Sequence, residues 1–528
     1  MAYTLEQFAD VPLDEPLLRH LLDEHERAEL PRLNLLWSYY RNHMETVGRA
    51  RRGWSAKPYR LAQERGLPGR LAWLSGGGGA PAPSSLAAPG DVPLDDRAAW
   101  RRELVIENDI AWRIHAMIDF MFGKPLRFAA RDADAPRRAL VERVLEAAWE
   151  ASGGVALLQD LALLGHVYGH VDLLVRADPA AAIDHHDDPV AAARAGSARV
   201  EVVEPTRGVA LLSGRDFRSL DAYIVRSQRE GNAVSDAPAS PVAAWVSRWL
   251  HGHAADATPR SQRERVRVTE VLSARYRQLY EERLVRGEWA GPVLIDESEN
   301  TVSPGRVPVV HIQNVSQPFR YAGLGEVEPL IPLQDELNTR LTDRASRVTL
   351  QSFKMFLAKG LGAAGPLAVG PGQVWTTENP DAQVLPFGGD SAAPGEEIHI
   401  DEVRQALDKA SAVPPLASGV LSTKIGNLTS ENALRVTLQG MLSRTSRKRV
   451  CYGRGLAEAG GLLLAALDAA GVFRTTRDER RIEVVWPDPL PRDARTELDA
   501  ARLKLELGLP APRVLEELGY SGPDAGVI

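Results

Sequence analysis

The 528-residue chain lacks several features that would assign it to a particular class of protein. It has one cysteine, Cys451, which excludes a disulfide within the chain and a cysteine metal cluster, and favours a reducing compartment. The opening residues MAYTLEQFADVPLDEP contain no basic region followed by an apolar run, so we expect no secretory signal. No run of about 18 uninterrupted apolar residues occurs, and we therefore expect a soluble, intracellular protein without a membrane span.

Motifs that indicate catalysis are missing too. The stretch SGGGG at 75–79 is not followed by Gly-Lys-Ser/Thr and does not sit between a predicted strand and helix, so it is not a phosphate-binding loop. We find no Gly-x-Ser-x-Gly elbow, no paired-carboxylate motif and no Cys–His arrangement. We therefore expect no enzymatic activity and no cofactor.

Histidine-rich segments leave a metal site as an alternative. HVYGH spaces His166 and His170 like two zinc ligands on a helix, but Val167 stands where a zinc protease has glutamate. DHHDD at 184–188 is rich in potential ligands, yet it lies in an alanine-rich insert and not on a rigid framework. A metal-dependent hydrolase is the less favoured reading, and we predict no metal site.

Negative charge slightly exceeds positive charge overall, but basic residues are concentrated in one place. A net charge of −7 argues against a tight, static nucleic-acid binder and leaves weak, transient contact possible. The run RTSRKRVCYGR at 444–454 is the basic exception, with the candidate residues Arg444, Arg447, Lys448 and Arg449. Both a solvated helix face and a surface that faces nucleic acid agree with this run.

The order of hydrophobic patterns predicts an α+β fold. Helical patterns dominate the first 75 residues and return at 97–153, whereas short β-branched runs such as LDAYIVRSQ and VPVVHIQN predict a sheet up to about residue 313. Three stretches fit neither pattern and are expected to be flexible inserts, near 75–90, 180–197 and 231–263.

The segment EPLIPLQDELNTRLTDRASRVTLQSFKMFLAKG, 328–360, predicts a long helix with little to bury. Its apolar residues form one narrow seam, and the remaining faces carry Asp, Glu, Arg, Asn, Gln, Ser and Thr. A strand and a Gly-rich portion follow, and a second helix at 396–412 returns, so two helices bracket a small module. We expect such a thin stalk to be stable only where copies pack side by side, with the polar flanks against neighbouring copies.

Four segments in this order resemble the portal proteins of tailed phages, of the long-tailed siphophage type. They are the strand VPVVHIQN, the helix GLGEVEPLIPLQDELNTRLTDRASRV, the strand KMFLAKG and the loop-to-helix GNLTSENALRVTL. Upstream, NDIAWRIHAMIDFMFGKPLRF and GHVYGHVDLLV are similar to the first helix and strands of the portal wing, and the resemblance covers most of residues 30–470.

The resemblance implies a division of the chain into the parts of a portal. These are a mixed α/β wing at 1–325, a first stem helix at 326–352, a small α/β clip at 353–395, a second stem helix at 396–412, a tunnel loop at 413–428, a long helix at 429–470 that leads into the crown, and a mainly helical crown or tail region at 471–528.

The resemblance also implies a function. A portal forms a ring of about twelve copies at the unique capsid vertex, conducts double-stranded DNA non-specifically during packaging and ejection, and docks the terminase large subunit and later the head-completion adaptor. It further contacts the major capsid and scaffolding proteins, is assembled in the host cytoplasm and remains in the virion. A structural ring or scaffold protein of another viral assembly is the other alternative.

Candidate site residues follow from the same resemblance. The tunnel-loop candidates for DNA contact are Ser422, Thr423, Lys424 and Asn427. The stem candidates for contact with neighbouring copies or with the channel are Asp335, Glu336, Arg340, Asp343, Arg344 and Arg347.

Overall fold

The structure is a computed structural model of the whole chain. The description below covers residues 2–41, 105–131, 134–178, 180–181, 185, 188–214, 216, 219–231, 264–285, 287–303, 305–352, 355–359, 381, 383–387, 394–418, 431–490, 494–511 and 514. These residues form helices and antiparallel strands, which confirms the predicted α+β class.

The chain divides into two compact units. The first unit comprises Met1–Asn34, Ile114–Glu326 and Leu421–Ile528, and the second comprises Leu35–Arg113 and Val327–Val420. Each unit is therefore built from separate stretches of sequence, and it is described by itself.

The N-terminal half begins with helices. Asp14 caps the first of them, since its side chain accepts a hydrogen bond from the backbone of Leu17 and Pro16 occupies the first turn. The helices in chain order are α1 (Glu15–Glu24), α2 (Leu30–Arg41, after a π-helical turn at His25–Glu29), α3 (Asp109–Phe122), α4 (Ala135–Ala151), α5 (Gly154–Tyr168) and α6 (Pro189–Arg194).

Ten strands fall between Arg127 and Gln313, in the region where the period of hydrophobicity is two. They are β1 (Arg127–Ala130), β2 (His170–Ala177), β3 (Ala198–Val203), β4 (Gly208–Leu212), β5 (Leu220–Gly231), β6 (Glu264–Ser273), β7 (Tyr276–Val285), β8 (Glu288–Trp289), β9 (Val293–Glu299) and β10 (Val309–Gln313).

The rest of the chain is mainly helical. Its elements are α7 (Ile331–Ser352, after a 3-10 turn at Glu328–Leu330), β11 (Met355–Lys359), β12 (Gln383–Phe387), α8 (Pro394–Ser411), α9 (Glu431–Thr437), α10 (Gln439–Ala469), β13 (Ile482–Val485) and α11 (Ala494–Glu506).

Three antiparallel groups of strands lie in the first unit. The largest has the order β4-β5-β6-β7-β8 with β9 also paired to β7, the second has the order β10-β2-β3, and β1 pairs with β13. One face of the large sheet is covered by the N-terminal segment, where Phe8, Leu18 and Leu22 are buried against Ile224 and Tyr280. Burial of such side chains is the main stabilising contribution to this part of the fold.

Helix α10 is the central helix of the first unit. Its buried side chains include Tyr452, Leu456 and Leu463, and Gly455 lets the helix approach Ile312 of β10 closely. By length and composition, one apolar stretch of this helix could cross a membrane. More than half of that stretch is buried within the protein. A core helix can have the same length and composition.

The inserts differ in outcome. Residues 75–90 and 232–263 lie outside the described residues. The third insert, expected to be flexible at 180–197, contains α6, whose N-terminus is capped by Asp188 and whose Ala192 and Ala193 are fully buried. Alanine packs closely and loses no side-chain entropy in a helix. The alanine-rich composition, which indicated a loop, is therefore compatible with the small packed helix α6.

Candidate functional site

In the second unit, α7 buries polar side chains along an extended segment of its own chain. Gln334 Nε2 donates to Glu107 O at 2.6 Å, and Asn338 Oδ1 accepts from the backbone nitrogen of Glu107 at 3.0 Å. One turn further on, Thr342 Oγ1 donates to Val105 O at 3.2 Å. Gln334, Asn338 and Thr342 thus form a row that satisfies the backbone of residues 105–109, which we call the polar ladder.

The spacing of the polar ladder has a simple geometric basis. Four residues of α-helix advance about 6 Å, and two residues of extended chain advance about 6.6–6.8 Å. Side chains at i, i+4 and i+8 on α7 therefore meet every second residue of the extended segment. The buried polar residues of α7 are Gln334, Asp335, Asn338, Thr339, Thr342 and Asp343.

This burial corrects the expectation for those polar side chains of the long helix that were predicted to contact neighbouring copies or the channel but lie inside their own chain. Asp335 and Asp343, two of the stem candidates, are buried within their own chain, and Asp335 accepts a hydrogen bond from Tyr39 at 2.8 Å. The apolar seam is thin because hydrogen bonds to a backbone replace part of the apolar contact. Sequence patterning does not show this, since residues 105–109 are distant in the chain.

The other stem candidates pair with α8, which runs antiparallel to α7. Glu336 contacts His399 at 3.2 Å and also Arg340, and the pKa of Glu336 is lowered because these partners outweigh the effect of burial. The remaining ion pairs between the two helices are Arg344–Glu397 and Arg347–Glu396. These charges already have partners within one chain.

A two-stranded antiparallel pair follows α7 in the sequence. Strand β11, which lies within the predicted KMFLAKG segment, pairs with β12 from Met355↔Phe387 to Lys359↔Gln383. The sequence predicted one strand here, followed by a Gly-rich portion, and the second strand β12 was not predicted.

The tunnel-loop candidates Ser422, Thr423, Lys424 and Asn427 lie outside the described residues. Of the expected loop at 413–428, the structure describes a 3-10 turn at Pro415–Ser418. The helix predicted from about 430 is divided at Leu438 into α9 and α10.

The side chains of the basic run on α10 lie on opposite sides of the helix, some buried and some exposed. Lys448 is 1 % exposed, and its Nζ lies 2.7 Å from Glu326 Oε1. Arg444 donates to Glu326 Oε2 at 2.6 Å. Arg449 donates to Phe120 O and stacks over Trp486.

Lys448 therefore does not belong to an exposed basic face, which corrects that part of the expectation. A lysine is buried in this way when a carboxylate compensates its charge. Burial alone would raise the pKa of Glu326, but Lys448 and Arg444 outweigh it and hold that pKa below its usual value. Arg447, the fourth candidate, is exposed.

His166 and His170 do not share a helix face. His166 is in the last turn of α5 and His170 opens β2, separated by Gly169, whose left-handed backbone (φ +97°) ends the helix. His166 donates from Nδ1 to Ala162 O at 2.6 Å, and burial followed by the charge of Lys448 lowers its pKa to about 3. Among the described residues, no three His, Cys, Asp or Glu side chains are placed to hold a metal ion.

Sequence reasoning missed a buried network in the first unit. Asp172 of β2 lies opposite His311 of β10, accepts from Tyr223 at 2.6 Å and from Tyr321 at 2.8 Å, and lies 2.7 Å from His311 Nδ1. His311 Nε2 faces the backbone oxygen of Tyr321 at 2.7 Å. Both ring nitrogens of His311 therefore face oxygen atoms of this network.

The signal for that network was available as one charged residue within an apolar strand. Asp172 interrupts HVDLLV, and a fully buried carboxylate requires a partner. The partners come from separate elements and could not be named from the sequence. Burial would raise the pKa of Asp172, and the charge of His311 is the largest of the effects that bring it below the usual value.

The geometry thus shows helices tied by polar contacts, with no constellation of catalytic residues in the described part of the chain. Residues 19–510 match the family described as phage portal protein, SPP1 Gp6-like. Phage portal proteins are a family of structural proteins. The chain belongs to the SPP1 Gp6-like phage portal protein family.

Further comparisons are more distant. No curated protein matches the chain. The chain is similar to a chain of the virion of a native gene transfer agent particle, with 13 % identity over 84 % of this chain and 95 % of that one, and a TM-score of 0.40. It is also similar to a chain of the neck of an empty gene transfer agent particle computed with C6 symmetry, with 12 % identity over 79 % and 87 % of the two chains and a TM-score of 0.40.

Proposed function

We propose that the protein forms a ring of about twelve copies at the unique vertex of a phage capsid and conducts double-stranded DNA during packaging and ejection. The observation that supports this most strongly is the portal-family match, which spans residues 19–510. The ring assembles in the host cytoplasm and remains in the virion. The chain has no phosphate-binding loop, so a partner motor supplies the energy for DNA movement.

The two units supply different parts of this role. In the second unit, α7 and α8 form the stem and β11 and β12 belong to the clip, which docks the terminase large subunit and later the head-completion adaptor. The antiparallel pairing of α7 with α8 supports this assignment, as do the ion pairs between them. The first unit forms most of the wing, which contacts the major capsid and scaffolding proteins.

Contact between copies involves the charges of the stem that remain near the surface. Arg340 and Arg344 are 41 % and 44 % exposed, so each can add a contact to a neighbour while it keeps its partner in the chain. Asp335 and Asp343 hold the helix to its own chain instead. The tunnel-loop residues Lys424, Ser422, Thr423 and Asn427 guide DNA in this proposal.

Particle mass tests the ring directly. Native mass spectrometry of the purified full-length protein should give a species near twelve times 57.6 kDa, and negative-stain images should show a central hole. A monomer or dimer that persists across salt concentrations would contradict the proposal. A ring of that size without any packaging of DNase-protected DNA in a phage complementation assay would favour a scaffold role.

The DNA-guiding role of Lys424 has its own test. Lys424→Ala and Lys424→Glu should slow packaging, with the larger effect for the reversal of charge, while ring assembly stays normal. Normal packaging in both variants would exclude the role.

A further inference from the structure

Two stretches of the first unit contain no acidic residue, although the chain has 70 acidic and 63 basic side chains. Residues 300–325 contain neither Asp nor Glu, and the same holds for residues 439–457 of α10. A surface formed by both stretches carries basic side chains without acidic residues of its own, which favours contact with an anion.

Packing brings these stretches together. Tyr452 of α10 donates to Asn314 Oδ1 at 3.2 Å, and Gly455 lets the helix approach Ile312, so α10 packs against the end of β10 from which the loop leaves. Arg447 and Arg454 flank Cys451 on the helix, and both lie close enough to it to act on its pKa. All three loop residues from Pro318 to Arg320 are exposed.

The arginines of this surface differ from the ion-paired Arg444 of the same helix. Arg444 and Lys448 on the inner side of α10 share Glu326, whereas Arg447 and Arg454 are exposed and make no ion pair with any residue that the structure describes. Arg320 of the loop makes none within the same described ranges. We call Arg320, Arg447 and Arg454 the outer arginine set.

The loop that carries Arg320 is held in one conformation. Gln313 Nε2 donates to Arg320 O at 2.8 Å, and His311 Nε2 lies 2.7 Å from the next carbonyl oxygen, that of Tyr321. Phe319 has a left-handed backbone with φ +61°, which is unfavourable for a bulky residue and persists only when its surroundings fix it. A side chain on a fixed backbone loses less freedom when it binds a partner.

We propose that the outer arginine set is a binding surface for the phosphate backbone of double-stranded DNA. The inference rests on the DNA-conducting function proposed above and assigns to it a contact surface outside the tunnel loop. Guanidinium groups bind phosphate in a planar, bidentate geometry, and the hydroxyls of Ser443 and Ser446 on the exposed side of α10 add donors. Three phosphate contacts release few counterions, so the contact is weak enough for DNA to move past it.

Fluorescence anisotropy with a duplex of about 30 base pairs tests the surface, with salt varied between about 50 and 200 mM. The test variant of the full-length protein is Arg320→Gln/Arg447→Gln/Arg454→Gln. We expect it to reduce the slope of log K against log salt by about 2.7, at about 0.9 per lost phosphate contact. Replacing the same three residues with lysine should keep most of the slope, because the charges remain.

A charge-matched control separates this site from net charge. Arg131, Arg481 and Arg502 are also exposed, at 63 %, 68 % and 80 % of their side chains, and their replacement by glutamine changes the charge equally. The proposal requires that this control leave the slope nearly unchanged. An equal loss in both triple variants would overturn it.

Two further outcomes are distinguished by imaging the same samples. If the test variant binds DNA normally but fails to form the particle that the wild type forms, the set contacts a neighbouring copy and the proposal is wrong. Failure of the wild-type protein to form rings would instead contradict the proposed function. Particle mass measures ring formation independently of DNA binding.

Discussion

Helices α7 and α10 both bury polar side chains, but they do so in physically different ways. On α7 the groups of the polar ladder, Gln334, Asn338 and Thr342, are uncharged and bond to an extended backbone, and the same helix also buries Asp335 and Asp343. On α10 the buried group is the charge of Lys448, compensated by Glu326. Uncharged groups cost less to bury and do not titrate, whereas a buried charge depends wholly on its partner.

The difference predicts where each helix is vulnerable. The polar ladder distributes its stabilisation over several hydrogen bonds, each worth about 1 kcal/mol net. The cluster on α10 concentrates its stabilisation in one carboxylate that two cations share. Loss of a single group should therefore matter more on α10 than on α7.

The largest effect is expected for Glu326→Gln. It leaves Lys448 buried without a compensating charge, and breaking a buried pair in this way costs about 3–5 kcal/mol. Urea denaturation measures the loss. The double variant Glu326→Gln/Lys448→Met removes both charges and should recover much of the lost stability. If Glu326→Gln alone costs less than about 1 kcal/mol, the loss of a single group does not matter more on α10 than on α7.

A smaller effect is expected for Asn338→Leu in the polar ladder. The substitution leaves the backbone nitrogen of Glu107 without its acceptor, and an unsatisfied buried donor costs about 1–3 kcal/mol. The same denaturation measurement applies, with the exposed Arg340→Gln on the same helix as a control. Stability equal to that of the wild type would show that the ladder does not anchor residues 105–109.

Mildly acidic pH should lower the stability of the region around α10 more than that of the region around α7. His166 lies beside the α10 cluster, and burial lowers its pKa to about 3, below the unfolded value of about 6.5. The unfolded chain then binds more protons between these values, so stability falls as pH falls through this window. His166 alone accounts for a loss of about 1.4 kcal/mol between pH 7.5 and pH 5.5.

His166→Gln provides the control for that pH effect. The variant should show a flatter dependence of the urea midpoint on pH, while Asn338→Leu should retain the slope of the wild type. An unchanged slope in His166→Gln would show that this histidine is not the group that titrates.

The smallest effect is expected for the surface pairs between α7 and α8. Arg344 is 44 % exposed and Glu397 is 61 % exposed, so water and salt screen their interaction. Arg344→Gln should change the free energy of unfolding by about 0–1 kcal/mol in the isolated chain. A greater loss measured in the assembled ring than in dissociated protein would reveal a contact between copies.

Much of the fold could be predicted from local patterns. The strands VPVVHIQN and LDAYIVRSQ and the helix that became α7 have periods of hydrophobicity that only one type of element fits. The insert near 180–197 was less predictable, because an alanine-rich composition suits both a loop and a small packed helix.

The candidate site could be predicted only in part, for a physical reason. Residue type identified Lys448 and Arg447 as equally basic, but helix α10 directs one to Glu326 and the other to the surface. Asp335 was likewise predicted to lie on the surface of the stem, but it is buried and accepts a hydrogen bond from Tyr39. Such partners are far apart in the chain, by 296 residues for Tyr39 and Asp335, and no local pattern records them.

The sequence by itself determined the α+β class, the order of the elements and the resemblance to portal proteins, since these depend on local propensity and on the order of motifs. Tertiary structure alone decided which polar side chains are internal. Burying a polar group is favourable only when a specific partner meets it, and folding brings that partner from elsewhere in the chain. The thin apolar seam of α7 is thus a property of the sequence, whereas the polar ladder beside it exists only in the fold.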